Sequence, residues 1–269
     1  MRILFIGDIF GRPGRDVAHR AIPALVSSHD IDLVVANVEN SAAGFGVTGD
    51  IAETILKSGV DVMTSGNHIW DKKEVLEYIP RQPRLLRPAN FPAGVPGRGT
   101  WIGKTRHGDA AAVINVMGRV FMAPLDDPFA VVLREIEAAK AKARVVIVDF
   151  HAEATSEKVA MGWHLDGRVT AIFGTHTHVQ TADERVLPKG TAYITDVGMT
   201  GPHDSIIGVT IDAALGRFVT GLPAKFEAAS GGARINAIVI TADSATGRAT
   251  AIERINLSAP EVETLAKHA

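Results

Sequence analysis

The chain has 269 residues, is 46% hydrophobic and 22% charged, and carries a formal charge of −2. That length can bury a large core, and the near-neutral balance argues against a dedicated nucleic-acid surface or a membrane partner. It holds no cysteine, which excludes a disulfide framework, a thiolate metal site and a cysteine nucleophile, so any metal must sit on His, Asp, Glu or Asn.

Residues 1–10 are apolar but short, and Asp8 interrupts them, so they read as neither a signal peptide nor a membrane span. The expectation is a cytoplasmic protein. Residues 3–7 form a continuous apolar run, the mark of a buried strand, and it ends at Asp8. Gly11, Pro13 and Gly14 make a turn. A helical pattern covers 15–29, and Pro23 should kink or divide it. Residues 33–36 are a second buried strand, followed by Asn37-Val38-Glu39-Asn40. Past a glycine-rich loop, Thr48 or Asp50 starts a helix that stops at Gly59. Residues 60–64 are a third strand, followed by Ser65-Gly66-Asn67-His68 and a helix over 72–79.

Strand–helix repeated three times predicts an α/β layered fold with parallel strands. Residues 82–99 are rich in Pro and Gly and read as loop. Short strands are expected over 100–104, 111–116 and 119–122. A helix over 127–143 has Pro128 in its first turn. The strand over 145–150 ends at His151, and a short helix starts at Ser156. The run 169–173 leads into Gly174-Thr175-His176-Thr177-His178. A strand over 191–194 ends near Asp196, and 210–220 has a helical pattern. Residues 235–241 and 250–255 read as a strand pair that completes a second sheet. No internal repeat or linker is visible, which predicts a single domain over 1–269.

Asp8, Glu39, Asn40, Asn67, His68, His151, His176 and His178 all follow predicted strands. In open α/β sheets that edge is where ligands bind. His176 and His178 would project to one side if their segment were extended. Three or four ligands hold one ion, so the surplus points to two ions sharing a carboxylate. Two ions about 3.5–4 Å apart clamp the oxygens of a displacement at phosphorus and activate a water. The donor types suit Mn, Fe, Zn or Mg. With no cysteine and no readable Ser–His–Asp arrangement, water on metal is the most economical nucleophile.

The order Gly7-Asp8, Asn37-Val38-Glu39-Asn40, Gly66-Asn67-His68, His151 and Gly174-Thr175-His176-Thr177-His178 resembles the calcineurin-like metallophosphoesterases. Their usual pattern is D-x-H, G-D-x-x-D, G-N-H-[DE], H and G-H-x-H. Here Phe10 replaces the first histidine, Glu39-Asn40 the second aspartate motif, and Ile69 the acid after G-N-H. Those departures, with the stretches 149–158 and 196–201, resemble the YmdB-like branch, a bacterial cyclic-nucleotide phosphodiesterase family. The resemblance implies a layered β-sandwich flanked by helices, α-β-β-α. It implies Asp8, Glu39, Asn40 and His178 on one metal, and Glu39, Asn67, His151 and His176 on the other, with Glu39 bridging. It gives His68 the role of the acid that protonates the leaving oxygen. Iron or manganese is expected first, with zinc or magnesium as alternatives. The implied substrate is a small cyclic nucleotide, 2′,3′-cyclic first, opened to the 3′-nucleotide.

Gly44-Phe45-Gly46-Val47-Thr48-Gly49 spells the dinucleotide fingerprint but does not follow its strand at once, so it reads as a loop beside the metals. No Lys or Arg cluster adjoins the ligand motifs, which favours a diester over a more highly charged monoester. Arg12, Arg15, His164 and His203 have no assigned role, and His19, His29, His107 and His268 read as solvated or packed. A nucleotide phosphomonoesterase and a slow, regulatory metal protein are the rival readings. The sequence leaves a homo-oligomer open.

Overall fold

The structure, a computed structural model, describes residues 1–268 and no side chain at His268. Strands β1 (Arg2–Ile6) and β2 (Asp8–Ile9) lead into helix α1 (Gly11–His29). Then come β3 (Leu33–Asn37), α2 (Gly49–Lys57), β4 (Val62–Thr64) and the short α3 (Val75–Tyr78). A hairpin of β5 (Thr100–Lys104) and β6 (Ala110–Met117) precedes α4 (Pro128–Lys140), β7 (Val145–His151), α5 (Thr155–Leu165) and β8 (Ala171–Thr175). The chain continues through β9 (Arg185–Val186), β10 (Ala192–Ile194), β11 (Met199–Pro202) and α6 (Ile211–Thr220). It ends with β12 (Ala233–Ala242), β13 (Ala249–Ser258) and α7 (Ala259–His268).

The strands form two sheets. One runs β2-β11-β12-β1-β3-β4, with β13 on β12; the other runs β5-β6-β7-β8-β10-β9. β1, β3 and β4 are parallel, as are β6, β7, β8 and β10, so their C-terminal ends gather at one edge of each sheet. Strand alternation sorts the side chains into layers. Ile3, Phe5, Leu33 and Val35 face Val113, Ile147, Ala171 and Phe173 between the sheets. The Phe5 and Phe173 rings meet there, centroids 4.1 Å apart. Leu4, Ile6, Val34 and Ala36 point outward onto α1, and Val146, Val148 and Ile172 onto α4 and α5. The layers are therefore helix, sheet, sheet, helix, as expected. No helix among the described residues is long and apolar enough to cross a membrane.

Several local expectations are corrected. Helix α1 starts at Gly11 and runs through Pro23 unbroken. Pro23 lies on the solvent side, and Val17, Ala21, Ile22 and Leu25 anchor the helix on both sides of it. Residues 119–122 are a turn: Glu157 accepts from the Arg119 and Val120 backbone N–H groups, and Phe121 has φ 60° and is 88% exposed. The helix expected over 72–79 is one turn followed by a 3-10 turn at Ile79–Arg81. The last strand pair belongs to the first sheet, because β12 pairs antiparallel with β1; the second sheet is built by β5–β10. Helix α7 has no counterpart in the sequence reading.

Candidate metal centre

The strand ends bring the predicted residues together. Asp8 opens β2, Glu39 and Asn40 follow β3, and Asn67 and His68 follow β4, all from the first sheet. His151 closes β7, and His176 and His178 follow β8, from the second. Glu39, His151 and His176 offer ligand atoms that all lie within 4.8 Å of one another. His151 Nε2 sits 3.0 Å from Glu39 Oε1 and 2.9 Å from Asn67 Oδ1, and the His151 and His176 rings stack edge to face at 4.7 Å. On the other side of Glu39, Asn40 Nδ2 lies 3.0 Å from His178 Nε2 and 3.4 Å from Glu39 Oε1. The His176 backbone N–H donates to Asp8 Oδ2 at 3.2 Å. The Glu39 carboxylate thus touches both halves of the cluster.

The extended geometry expected for His176 and His178 is not what places them. Strand β8 stops at Thr175, and both histidines have positive φ, 93° and 66°. Such backbone costs a non-glycine residue free energy and persists where surrounding contacts over-determine it. Those contacts come from a buried ion pair. Asp196 accepts from Lys158 Nζ at 2.7 Å and from both the backbone N–H and the hydroxyl of Thr177. Thr177 is thereby pinned between the two histidines.

The donor set fits divalent cations. Asp8 Oδ1 and Asn40 Oδ1 are buried and accept no hydrogen bond among the described residues. Buried oxygens are nearly always partnered, and a cation is a natural partner for a carboxylate and an amide oxygen left without donors. Gly66 keeps the space open: a Cβ there would lie 2.1 Å from His151 Cδ2 and 2.5 Å from Glu39 Oε2. Burial pushes the Asp8 carboxyl well above the usual range, with Glu39 adding to it against the opposing pull of His151. Burial also acts upward on Glu39, but His151 and His68 bring it down to about 2. Burial and the neighbouring His151 take His176 down to about 3, and burial lowers His178, so both are neutral imidazoles ready to ligate. Burial acts downward on His151, yet Glu39 and Asp8 raise it to about 9.

Ring orientation is fixed from behind. The Thr175 hydroxyl donates to Asp149 Oδ1 at 2.7 Å, so it accepts from His151 Nδ1 at 2.8 Å. That leaves His151 Nε2 facing Glu39 and Asn67. Asp149 also accepts from Thr64 and Asn37, and burial raises it to about 6. His178 Nδ1 donates to the Ile207 carbonyl at 2.8 Å, leaving Nε2 inward.

Residues 4–255 match the YmdB-like protein family. The chain belongs to the YmdB-like family. It is 51% identical over 255 residues to a Bacillus subtilis 2′,3′-cyclic-nucleotide 2′-phosphodiesterase, covering 95% of this chain and 96% of that one. It is similar to the crystal structure of a hypothetical protein from Thermus thermophilus, with TM-score 0.90, 44% identity, and 96% and 99% of the two chains covered. The crystal structure of a phosphatase from Mycoplasma pneumoniae gives TM-score 0.90 at 35% identity, over 96% and 93%.

The departures of the YmdB-like family from the wider metallophosphoesterase pattern have structural counterparts. Phe10 is buried edge-on to His178, ring centroids 5.7 Å apart, and Ile69 packs in the outer core of the first sheet. Asp71 was missed in the sequence. It accepts from His68 Nδ1 at 2.8 Å, and its signal was the i, i+3 spacing. Glu153, 3.1 Å from His176 Nε2, stood in a matched stretch without a role. Arg217, from α6, lines the cavity above the cluster, which no ligand motif announced. Gly44 and Phe45 line the same cavity, so the glycine-rich segment is a loop beside the site. The residues without a role lie elsewhere. Arg12 pairs with Asp16 on the surface and Arg15 donates to the Ser41 carbonyl. His164 stacks on Phe129, and His203 bonds the Gly201 carbonyl. His19, His29 and His107 contact Ser58, Ser28 and Asp32 at the surface.

Proposed function

We propose that this chain is a metal-dependent phosphodiesterase that opens 2′,3′-cyclic nucleotides to 3′-nucleotides in the cytoplasm. The observation that carries the reading is the pair of buried oxygens without donors, Asp8 Oδ1 and Asn40 Oδ1, beside Glu39 and the neutral His176 and His178. The extensive identity to the B. subtilis enzyme supports the substrate class. Two divalent ions, iron or manganese before zinc or magnesium, would be held by Asp8, Asn40 and His178 on one side and Asn67, His151 and His176 on the other, with Glu39 shared. Bound there, they supply charge that holds phosphate oxygens and makes water nucleophilic near neutral pH.

The protein's own groups do the rest. Asp149 and Thr175 hold His151, and Lys158 and Asp196 hold the turn that carries His176 and His178. Water adds at phosphorus, its remaining proton staying on the new monoester or leaving to solvent, and the bond to the 2′ oxygen breaks. His68, as the imidazolium whose Nδ1–H is held by Asp71, gives that oxygen its proton from Nε2 and is reprotonated from solvent. The phosphate stays on the 3′ oxygen. Apart from the histidines, Arg217 is the basic side chain in the lining of the cavity, which suits a diester of low charge. The similarity to the M. pneumoniae phosphatase favours one rival, a phosphomonoesterase. Chromatography of 2′,3′-cyclic AMP digests decides between them. A dominant 3′-monophosphate is expected. A dominant 2′-phosphate overturns the regiochemistry, and faster phosphate release from the monoester makes the protein a phosphatase.

A further inference from the structure

The cavity above the metal cluster has a volume of about 360 Å³, within the roughly 300–1,000 Å³ of small-molecule sites. Its floor is polar: Glu39, Asn40, His68, His176 and His178. The rest of its lining is apolar and aromatic, and a phosphodiester has no use for such a wall. The buried Phe10, edge-on to His178, closes the inner end. Gly44 and Gly208 press against its ring, and a Cβ on either would lie 2.8 Å from a ring carbon. Both glycines have left-handed φ, 95° and 105°, so the loops that clamp Phe10 are shaped for that approach. Helix α6 and the segment after it form one side. Phe218 lines the cavity yet is 80% exposed. Arg217 lies over the Phe226 ring, 5.2 Å from its centroid, and makes no ion pair among the described residues.

An open aromatic ring and a flat, unpaired cation suit a planar heterocycle. The ring offers a stacking face, and the guanidinium offers a second face plus N–H donors for ring nitrogens and carbonyl oxygens. A lipid chain would need neither the cation nor its donors. We infer that the apolar part of this cavity is the seat of the substrate's nucleobase, beside Phe218, Arg217 and Phe226. The inference rests on the phosphodiesterase reading for its substrate class and adds the residues that select for a base. Stacking area favours purines over pyrimidines.

Two substrates test it: 2′,3′-cyclic AMP, and methyl riboside 2′,3′-cyclic phosphate, which keeps the reacting ring and lacks the base. The metal-loaded protein should prefer the nucleotide in kcat/KM by on the order of 10-fold or more, as one stacked base provides. Phe218→Ala, at an exposed position, should fold and shrink that preference, mainly through KM. Val219→Ser, beside it on α6 but outside the cavity lining, should keep the preference. Equal constants for the two substrates in the unaltered protein overturn the seat. So does a Phe218→Ala variant that alters only the mass in solution, since the ring would then serve a contact between copies. Calorimetric titration of chelator-treated protein with adenosine gives a second readout. Binding is expected, weakened on the order of 10-fold by Phe218→Ala, and no binding overturns the seat. If adenosine binds in this way but neither cyclic substrate opens, the seat stands and the phosphodiesterase reading falls.

Discussion

At the scale of single residues, the proposed mechanism separates groups that would hold charge from one that would move a proton. Glu39→Gln removes the carboxylate charge between the two halves of the cluster, and Asn67→Ala removes an oxygen beside His151. Either should lose metal and activity together in elemental analysis and assay. His68 contacts the cluster through its backbone N–H to Glu39, while its ring faces the cavity and Asp71. His68→Ala should therefore keep its metal and lose turnover by about 10²–10⁴-fold. The loss should shrink for aryl diesters, whose leaving oxygen needs little protonation. Metal loss, or an unchanged rate, would refute the role. Thr175→Val tests the relay behind His151. It keeps the shape and removes the hydroxyl that accepts from His151 Nδ1, so metal affinity should fall about 10–100-fold in a chelator competition, with the fold intact.

At the scale of elements, each candidate ligand lies at or just past the end of an apolar strand run, and that is why the sequence could reveal it. Apolar runs such as 33–36 and 145–150 are read easily, because a parallel strand buried on both faces has no polar alternation. The polar residue that ends the run then stands out. The turns themselves were illegible. Asp71 reaches His68 through a tight turn after β4, and Lys158 reaches Asp196 from the far side of β8. Such contacts depend on backbone angles, and a sequence pattern does not carry them. The same limit hid the positive φ of His176 and the path of residues 199–228, which set Phe218 and Arg217 over the site. The turn after β4 supplies a direct test. Gly66→Ala would place a methyl 2.1 Å from His151 and 2.5 Å from Glu39, where two opposing side chains cannot both withdraw. Elemental analysis should find that variant unable to fill the site. Full metal content would mean that the turn yields.

At the scale of the molecule, the candidate ligands straddle the gap between the sheets. Asp8, Glu39, Asn40 and Asn67 come from one, and His151, His176 and His178 from the other. Beneath them the sheets share an apolar core around Phe5 and Phe173. We propose that 1–269 is one domain that unfolds as a single cooperative unit, with the proposed cation site at the seam. Phe173→Ala removes a fully buried ring from this core and should cost about 3–5 kcal/mol. Because the ring belongs to both sheets, the variant should still unfold in one transition at a lower temperature. Cations that bind only the folded chain stabilise it by mass action, about 4 kcal/mol at a thousandfold excess over Kd. Chelation should then lower the Tm of the parent protein while the unfolding stays a single step, since no ligand set is complete on one sheet. Calorimetry distinguishes the alternatives. Two transitions, with only one moving on chelation, would show that the sheets fold separately and that the cations sit on one of them.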